Sequence, residues 1–310
     1  MRLKKLVIGN TSVKNNVLMA PMAGYTDYAF RSMVTELGAG ITYTELVSAK
    51  GLIYGGKNNS ALLYCGGDYE NTVAQIFGSE EYFMRAACES EYLKNFNIID
   101  INMGCPVPKV FKNGDGSALL SDIKKAERLV RECVKSGKNI TVKIRIGLKK
   151  GDDIATEFSK MAEDSGAKAI TIHGRVREDY YSGEPNFSAI ERAKSAVSIP
   201  VIANGGIFTE KDAADMMDKT GADGVMLARG GIANPFLFSS LTGTKTDYTL
   251  KSFMTEHLLR MQKLRGDMTA VEFRKFVPYY LKGKIGVKDI KAAINSSCSV
   301  EEIVDLIAKL

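Results

Sequence analysis

The sequence predicts an α/β protein, a (β/α)8 barrel of the TIM type followed by an all-helical domain. Apolar strand-like runs alternate with amphipathic helical stretches, and this βα unit recurs eight times at intervals of roughly 30 residues. The strand-like runs are mostly apolar throughout, which is typical of parallel strands covered on both faces. No Gly-x-Gly-x-x-Gly motif follows the first run, which favours a closed barrel over an open dinucleotide-binding sheet.

The eight predicted strands are short, apolar and evenly spaced: Val17–Ala20, Ile41–Glu45, Thr72–Phe77, Ile98–Asn102, Thr141–Arg145, Ala169–His173, Pro200–Asn204 and Gly224–Ala228. Helices are predicted between them at Tyr28–Leu37, Glu80–Tyr92, Ile123–Ser136, Ile154–Ser165 and Glu210–Thr220. Several of these helices are followed by a glycine that can adopt the left-handed C-cap conformation, at Gly38, Gly137, Gly166 and Gly221.

The alternation stops after Leu241, and only helices are predicted beyond it. We therefore divide the chain into a barrel domain over residues 1–241 and a helical domain over 242–310. The helical domain has twelve Lys and Arg against eight Asp and Glu. A basic surplus in a small appended region favours a polyanionic partner, although a solvated helical surface would give the same charge. The predicted helices are Thr249–Arg265, Ala270–Leu281, Val287–Asn295 and Val300–Leu310.

The bulk composition is that of a globular enzyme. Of the 310 residues, 45% are hydrophobic and 25% charged. No apolar segment is long enough to cross a membrane, and the N-terminus lacks a signal-peptide pattern. The five cysteines are too widely spaced for a CxxC redox pair or a paired zinc site. We expect a cytoplasmic monomer with reduced thiols, no metal and no membrane contact.

Polar residues lie at the C-terminal ends of the predicted strands, where the active sites of such barrels lie. One polar strand end is unremarkable, but a whole set favours a ligand at the barrel mouth. The Lys and Arg members can only donate hydrogen bonds, so the ligand should offer acceptors. The set comprises Glu45, Gln75, Asn102, Lys143, Arg145, His173, Asn204 and Arg229.

Two glycine-rich segments follow the last two strands. Asn204-Gly205-Gly206 and Ala228-Arg229-Gly230-Gly231 present bare backbone N–H groups at the recurrent phosphate site of these barrels. Either segment alone could be a turn requirement. Together they predict a bound phosphate, and hence a phosphorylated cofactor or substrate.

Cys105 follows the fourth strand, between Gly104 and Pro106. A thiol at this rim could be a nucleophile or a proton donor. A nucleophile would normally need a nearby base, and His173 is the only histidine in the barrel, two strands away. We therefore favour Cys105 as a general acid.

Together these motifs resemble the dihydrouridine synthase family of flavin-dependent tRNA reductases. The resemblance runs from about Val17 to Phe238, and its most diagnostic part is Asn102-Met103-Gly104-Cys105-Pro106. Ala228 departs from the pattern, since many members have Gly there, but the backbone N–H remains. That part lies within the matching segment Asp100–Lys109, and the other matching segments are Ala20–Asp27, Val73–Gly78, Val142–Arg145, Ile172–Arg175, Ala203–Gly206 and Met226–Gly230.

The resemblance implies the following roles. Cys105 would protonate C5 of uracil while hydride passes from flavin N5 to C6, and NADPH or NADH would regenerate the reduced flavin. Asn102 and Arg145 would contact the uridine. The helical domain would hold the tRNA, with the target uridine, which we expect in the D-loop, extruded into the barrel mouth. FMN would be bound by Pro21, Met22, Ala23, Gln75, Lys143, His173, Asn204, Gly205, Gly206, Ala228 and Arg229.

Three alternatives remain open from the sequence. The enzyme could be an FMN barrel that acts on a free pyrimidine, as dihydroorotate dehydrogenases do, but such an enzyme has no use for a basic helical appendage. The chain could also be a non-catalytic RNA-binding barrel, although Cys105 and Lys143 are intact. The segment Arg175–Gly183 could accept an extruded base or be an ordinary surface loop.

Overall fold

The computed structural model describes residues 2–310 and has eleven β-strands in chain order. Their bounds are β1 Leu6–Ile8, β2 Thr11–Val13, β3 Val17–Met19, β4 Ile41–Tyr43, β5 Val47–Ser48, β6 Thr72–Phe77, β7 Ile98–Met103, β8 Asn139–Arg145, β9 Ala169–His173, β10 Val201–Asn204 and β11 Gly224–Leu227.

The α-helices fall into two groups. Eleven accompany the barrel strands: α1 Tyr28–Glu36, α2 Ala49–Ile53, α3 Asn59–Leu63, α4 Glu81–Cys88, α5 Pro108–Lys112, α6 Ile123–Val134, α7 Ala155–Asp164, α8 Phe187–Ser195, α9 Glu210–Thr220, α10 Arg229–Ala233 and α11 Leu237–Thr242. The rest follow the barrel: α12 Leu250–Arg265, α13 Thr269–Phe273, α14 Val277–Tyr280, α15 Lys288–Ser296 and α16 Val300–Ala308. Two 3-10 helices span Gly116–Ser121 and Gly266–Met268.

Eight parallel strands close into a ring. Their order is β4-β3-β11-β10-β9-β8-β7-β6, and β4 also pairs with β6, which closes the circle. The short strand β5 extends the edge of β6. The structure therefore confirms the predicted (β/α)8 barrel, and all eight predicted strands are present.

The barrel has two separate apolar layers, because strand side chains alternate between its two faces. One layer lies between strands and helices, and the other lies inside the ring. The lower interior is filled by residues such as Leu18, Ile98 and Ile202. Higher on the same inward faces the side chains become polar, as in β7, where Ile98 is followed by Asp100 and Asn102. The polar end of the interior is the end where the site forms.

A β-hairpin that was not predicted from the sequence closes the bottom of the barrel. Strands β1 and β2 pair antiparallel, and the turn residue Gly9 has a φ of 60°. Leu6, Ile8 and Val13 from this hairpin belong to the interior apolar cluster. Their alternation with polar residues across a Gly9-Asn10 turn was the available signal.

Two helix predictions need correction. The predicted helix Ala270–Leu281 is broken into α13 and α14, because Pro278 lacks the N–H needed to continue a helix and lies in the first turn of α14. Helix α8 was not predicted, although Asn186 caps its first turn by accepting from the Ala189 N–H at 3.0 Å.

The helices after the barrel pack against its first helix. Arg260 on α12 forms an ion pair with Glu36 on α1, with Nη1 and Oε1 2.6 Å apart. Beside it, the ring of Phe30 on α1 stacks against Phe276 at a centroid distance of 6.1 Å. This junction joins the helical region to the first helix of the barrel. Over residues 2–310, no helix is both long and apolar enough to cross a membrane.

Candidate active site

A cavity of about 280 Å³ lies at the C-terminal ends of the barrel strands. This volume is close to the lower end of the range for small-molecule sites. Of the residues to which the resemblance gave a role at the site, all but Gln75 line this cavity: Pro21, Met22, Ala23, Asn102, Cys105, Lys143, Arg145, His173, Asn204, Gly205, Gly206, Ala228 and Arg229.

Strand register brings these side chains together at the C-terminal end of the barrel. Asn102 on β7 lies opposite Lys143 on β8. Arg145, at the end of β8, lies opposite His173 on β9, which in turn lies opposite Asn204 on β10. Because residues two apart share a face, Lys143 and Arg145 both project to the inner side of the ring. A register slip of one residue would send both to the helix layer.

The Cys105 turn is held by the side chain of Asn102. The Oδ1 of Asn102 accepts hydrogen bonds from the backbone N–H groups of Gly104, at 3.1 Å, and Cys105, at 2.9 Å. On the other side, the hydroxyl of Ser117 donates to the Cys105 carbonyl at 2.7 Å. Gly116 has a φ of 60°, and a Cβ there would lie 3.0 Å from the Cys105 Cβ. The thiol is therefore carried by a constrained turn.

The Cys105 thiol keeps its proton at neutral pH. Burial raises the pKa of Cys105, although the Val107 backbone N–H and the Arg145 charge act in the opposite direction. A nucleophilic cysteine needs a lowered pKa to supply thiolate. The environment of Cys105 therefore suits a proton donor better than a nucleophile.

Lys143 is one of the cations that line the cavity. Its Nζ donates to the Oδ1 of Asn204 at 3.0 Å, and the Nδ2 of Asn204 donates to the Met226 carbonyl at 2.7 Å. Burial, followed by the nearby Arg145 charge, lowers the pKa of Lys143 to about 8. The ammonium is charged at neutral pH and close to its titration range.

His173 is neutral in this site. Burial and the surrounding cations, Arg145 first among them, hold the pKa of His173 well below its usual range. Its Nε2 lies 3.3 Å from the Nη1 of Arg175. A guanidinium can only donate, so Nε2 is the acceptor and the ring proton is on Nδ1. His173 is thus a hydrogen-bonding group rather than a charge.

Gly205 and Gly206 line the cavity, and neither position has room for a Cβ. Gly205 has a φ of 115°, and a Cβ there would approach the His173 ring to 2.7 Å. Gly206 has a φ of 71°, and a Cβ would meet Pro185 at 2.9 Å. The Arg229 side chain lines the same part of the cavity. Bare backbone and a guanidinium together form a cradle of the kind that binds phosphate.

The segment Arg175–Gly183 forms one wall of the cavity. The Nη1 of Arg145 donates to the Val176 carbonyl at 3.0 Å and to the Tyr180 carbonyl at 2.8 Å. The guanidinium of Arg175 donates to the Gly183 carbonyl at 2.7 Å. The Tyr181 ring lines the cavity, and the Arg229 guanidinium lies over it at 4.4 Å. These hydrogen bonds and the Tyr181 ring therefore tie the segment to the cavity.

Gln75 and Glu45 are not among the residues that line the cavity. Gln75 is fully buried, with its Nε2 2.7 Å from the Oδ2 of Asp100 and its Oε1 accepting from the Nδ2 of Asn102 at 2.9 Å. The Glu45 carboxylate accepts from the Gly24 N–H. Both side chains bind protein groups in this structure, and neither lines the cavity.

Two residues had no individual role in the sequence analysis: Asp100, which lies beneath the cavity lining, and Arg175, which lines the cavity. Asp100 is fully buried between the hydrophobic residues of β7. An acidic residue at an inward position of an otherwise apolar strand was the available signal. Arg175 is 6% exposed and lines the cavity, and nothing local in the sequence distinguishes it from its neighbour Arg177.

The titratable groups do not form a metal site. Among residues 2–310, no group of three or more His, Cys, Asp or Glu is placed to hold a metal ion. The donors around the cavity are instead cations, amides and a thiol. Such a set suits an organic, phosphorylated ligand.

Comparison with known proteins gives a consistent picture. A family model described as dihydrouridine synthase matches residues 18–301. The tRNA-dihydrouridine synthase B of Pseudomonas putida is 34% identical over 300 residues, which cover 93% of this chain and 89% of the relative. A probable tRNA-dihydrouridine synthase of Helicobacter pylori is 33% identical, and the match covers 94% of this chain and 90% of the relative.

Solved structures share the fold at low identity. The histamine dehydrogenase of Rhizobium sp. 4-9 superposes with a TM-score of 0.59 at 16% identity, over 83% of this chain and 50% of that protein. A variant of NCR from Zymomonas mobilis gives a TM-score of 0.55 at 16% identity, over 80% of this chain and 94% of that protein. These similarities concern the barrel architecture alone.

Proposed function

The chain belongs to the dihydrouridine synthase family, and from this premise we propose that it is an enzyme that reduces uridine to 5,6-dihydrouridine in tRNA. The relatives that carry this name are matched over about nine-tenths of their length. The observation that carries the proposal is one cavity that combines a protonated thiol, a buried cation and a phosphate cradle.

The residues present fit a flavin mononucleotide. The cradle of Gly205, Gly206 and Arg229 would hold its phosphate, and Lys143 would face its ring system, with Pro21–Ala23 on the opposite wall. When bound, the flavin would supply the hydride that NADPH or NADH restores. A contact between Gln75 and the ring stays a prediction, since Gln75 is bonded to Asp100 and Asn102.

The chain's own residues supply the rest of the chemistry. Cys105 delivers a proton to C5 of the uracil, which its raised pKa favours because the thiol is protonated when the base arrives. Asn102 and Arg145 orient the base beside it. The neutral His173 and the charged Lys143 would hold the ring-facing side of the site.

We assign catalysis to residues 1–241 and tRNA binding to residues 242–310. The exposed Lys and Arg of the helical region would contact tRNA phosphates, and α12 anchors that region to α1 through Arg260. The target uridine, which we place in the D-loop, must leave its stack to enter the barrel mouth. A cytoplasmic monomer is the simplest form that performs this reaction.

A substrate comparison tests the proposal. The FMN-loaded protein is incubated with NADPH or NADH and either unmodified tRNA transcript or uridine monophosphate, and dihydrouridine is measured by mass spectrometry. We expect product from tRNA and little or none from the free nucleotide. Equal turnover of both would favour an enzyme of free pyrimidines, and a protein that binds no flavin would favour a non-catalytic RNA-binding barrel.

A further inference from the structure

We propose that Asp100 is a positioning residue for Cys105: it orients two side-chain amides that hold the Cys105 turn. The proposal deepens the proposed function, on which it rests for its effect on turnover. Asp100 itself is fully buried and is not among the residues that line the cavity.

The Asp100 carboxylate accepts two hydrogen bonds inside the barrel. The hydroxyl of Thr141 donates to its Oδ1 at 2.6 Å, and the Nε2 of Gln75 donates to its Oδ2 at 2.7 Å. Burial raises the pKa of Asp100 to about 6, against the hydrogen bonds of Gln75 and Thr141 and the Lys143 charge. At pH 7.5 the group is therefore an anion that can only accept.

This acceptor sets the orientation of the Gln75 amide. Since the NH2 group of Gln75 must face Asp100, its Oε1 faces Asn102 and accepts from the Nδ2 of Asn102 at 2.9 Å. The Oδ1 of Asn102 is then left to face the backbone of the turn, where it accepts from the N–H groups of Gly104 and Cys105. Each amide has one orientation that satisfies both of its neighbours.

Without an acceptor at position 100, the Gln75 and Asn102 amides lose their fixed orientations. The Gln75 NH2 group would be buried without a partner, which disfavours its present orientation. Gln75 could then turn over and donate to Asn102, which would turn its own NH2 group toward the two backbone N–H groups. Donors would face donors, and the Cys105 turn would lose the acceptor that holds it.

Three substitutions separate this role from a general defect of the core. Asp100→Leu removes the acceptor. Asp100→Asn keeps it, since the amide oxygen can accept from Gln75 while its NH2 group donates to the Thr141 hydroxyl. Thr141→Val is the matched control, because it removes a hydrogen bond to Asp100 that is not part of the chain leading to Cys105.

The first readout is the alkylation rate of Cys105 by iodoacetamide, followed on the full chain from pH 6.5 to 9.5 and quantified on the Cys105 peptide. In Asp100→Leu we expect the rate at pH 8 to rise several-fold and the thiol pKa to move, because the turn is no longer fixed. Asp100→Asn and Thr141→Val should stay within about threefold of the wild type. This readout needs neither flavin nor tRNA.

The second readout is dihydrouridine formation by the FMN-loaded protein. We expect Asp100→Leu to lower kcat by roughly tenfold or more with little change in KM for tRNA, as misplacement of a proton donor does. Unchanged alkylation in Asp100→Leu, or equal effects of Leu and Asn at position 100, would overturn the proposal. If Asp100→Leu does not fold, the smaller Asp100→Val replaces it. Expected alkylation changes in a protein that makes no dihydrouridine would count against the proposed function alone.

Discussion

The Nζ of Lys143 donates a hydrogen bond to the Oδ1 of Asn204, 3.0 Å away, and so links the fifth and seventh strands of the barrel across its mouth. The same amide donates to the Met226 carbonyl, which leaves Asn204 one orientation. Lys143 is thus a fixed cation at the level of the proposed flavin ring.

The charge of Lys143 gives the first prediction. Because its pKa is about 8, the cation is present below pH 8 and lost as the pH rises further. We expect the affinity of the apoprotein for FMN, measured by flavin fluorescence, to fall roughly three- to tenfold between pH 7 and 9.5. Lys143→Met should bind more weakly at pH 7 and show a smaller pH dependence. Lys143→Arg, which keeps its charge, is the control. The same pH dependence in wild type and Lys143→Met would refute the prediction.

The second prediction concerns the proton donor. Cys105→Ala should still bind FMN and be reduced by NADPH or NADH, because the thiol lies on the substrate side of the proposed site. Dihydrouridine formation should drop by about 10²-fold or more, the usual contribution of a general acid. Cys298→Ala, at an exposed thiol outside the barrel, is the matched control. Undiminished turnover in Cys105→Ala would remove Cys105 from the mechanism.

The third prediction tests the phosphate cradle. Gly205→Ala forces a side chain into the left-handed region and toward the His173 ring, so FMN binding should weaken by at least tenfold. Gly221→Ala is the matched control, since Gly221 also has a positive φ, 63°, but a Cβ there meets nothing within 4 Å. The control should lose about 1 kcal/mol of stability and no FMN affinity. Titration by fluorescence quenching distinguishes the two.

The sequence predicted the barrel well because strand periodicity and helix-ending glycines are local signals. It also predicted most of the cavity, since residues such as Lys143 and Asn204 lie at strand ends that a closed ring must bring together. Gln75 shows where prediction from the sequence fails. A side chain at an inward strand position can line the cavity or lie one level below it. Which of the two occurs depends on its hydrogen-bond partners, and for Gln75 these are Asp100 and Asn102.

Long-range contacts account for the other misses. The wall formed by Arg175–Gly183 depends on hydrogen bonds from Arg145. This residue lies on β8, one strand earlier than the strand that leads into the loop, and no pattern within the loop reveals these bonds. The helix break at Pro278, by contrast, follows from a local rule and could have been predicted.

The fourth prediction concerns tRNA binding. Lys282, Lys284 and Lys288 are exposed in the helical region. Replacing all three by Gln should weaken tRNA binding and reduce the slope of log affinity against log salt by about 1 for each phosphate that the variant no longer neutralises. The control replaces Lys5, Lys160 and Lys168, which are equally exposed on other surfaces of the barrel domain. Equal salt slopes in both triple variants, measured by filter binding, would exclude the helical region as the main tRNA-binding surface.

The last prediction concerns acid stability and starts from His257, a fully buried residue of α12. Its Nδ1 lies 2.8 Å from the Tyr280 hydroxyl, and its ring centroid lies 4.6 Å from that of Phe276. Burial, followed by the charges of Lys275 and Arg260, lowers the pKa of His257 to about 3. The folded protein therefore keeps this ring neutral, whereas the unfolded chain protonates it near pH 6.5.

Between these two pKa values the unfolded state binds more protons, so stability falls as the pH falls. At pH 5, about 1.5 units below the unfolded pKa, His257 should cost about 2 kcal/mol of unfolding free energy. The double variant His257→Phe with Tyr280→Phe removes this effect and leaves every carboxylate in place. Urea unfolding at pH 7.5 and 5.0 should show a loss about 2 kcal/mol larger in the wild type than in the variant. An equal loss in both proteins would show that His257 does not control the acid stability of the junction between α12 and the barrel.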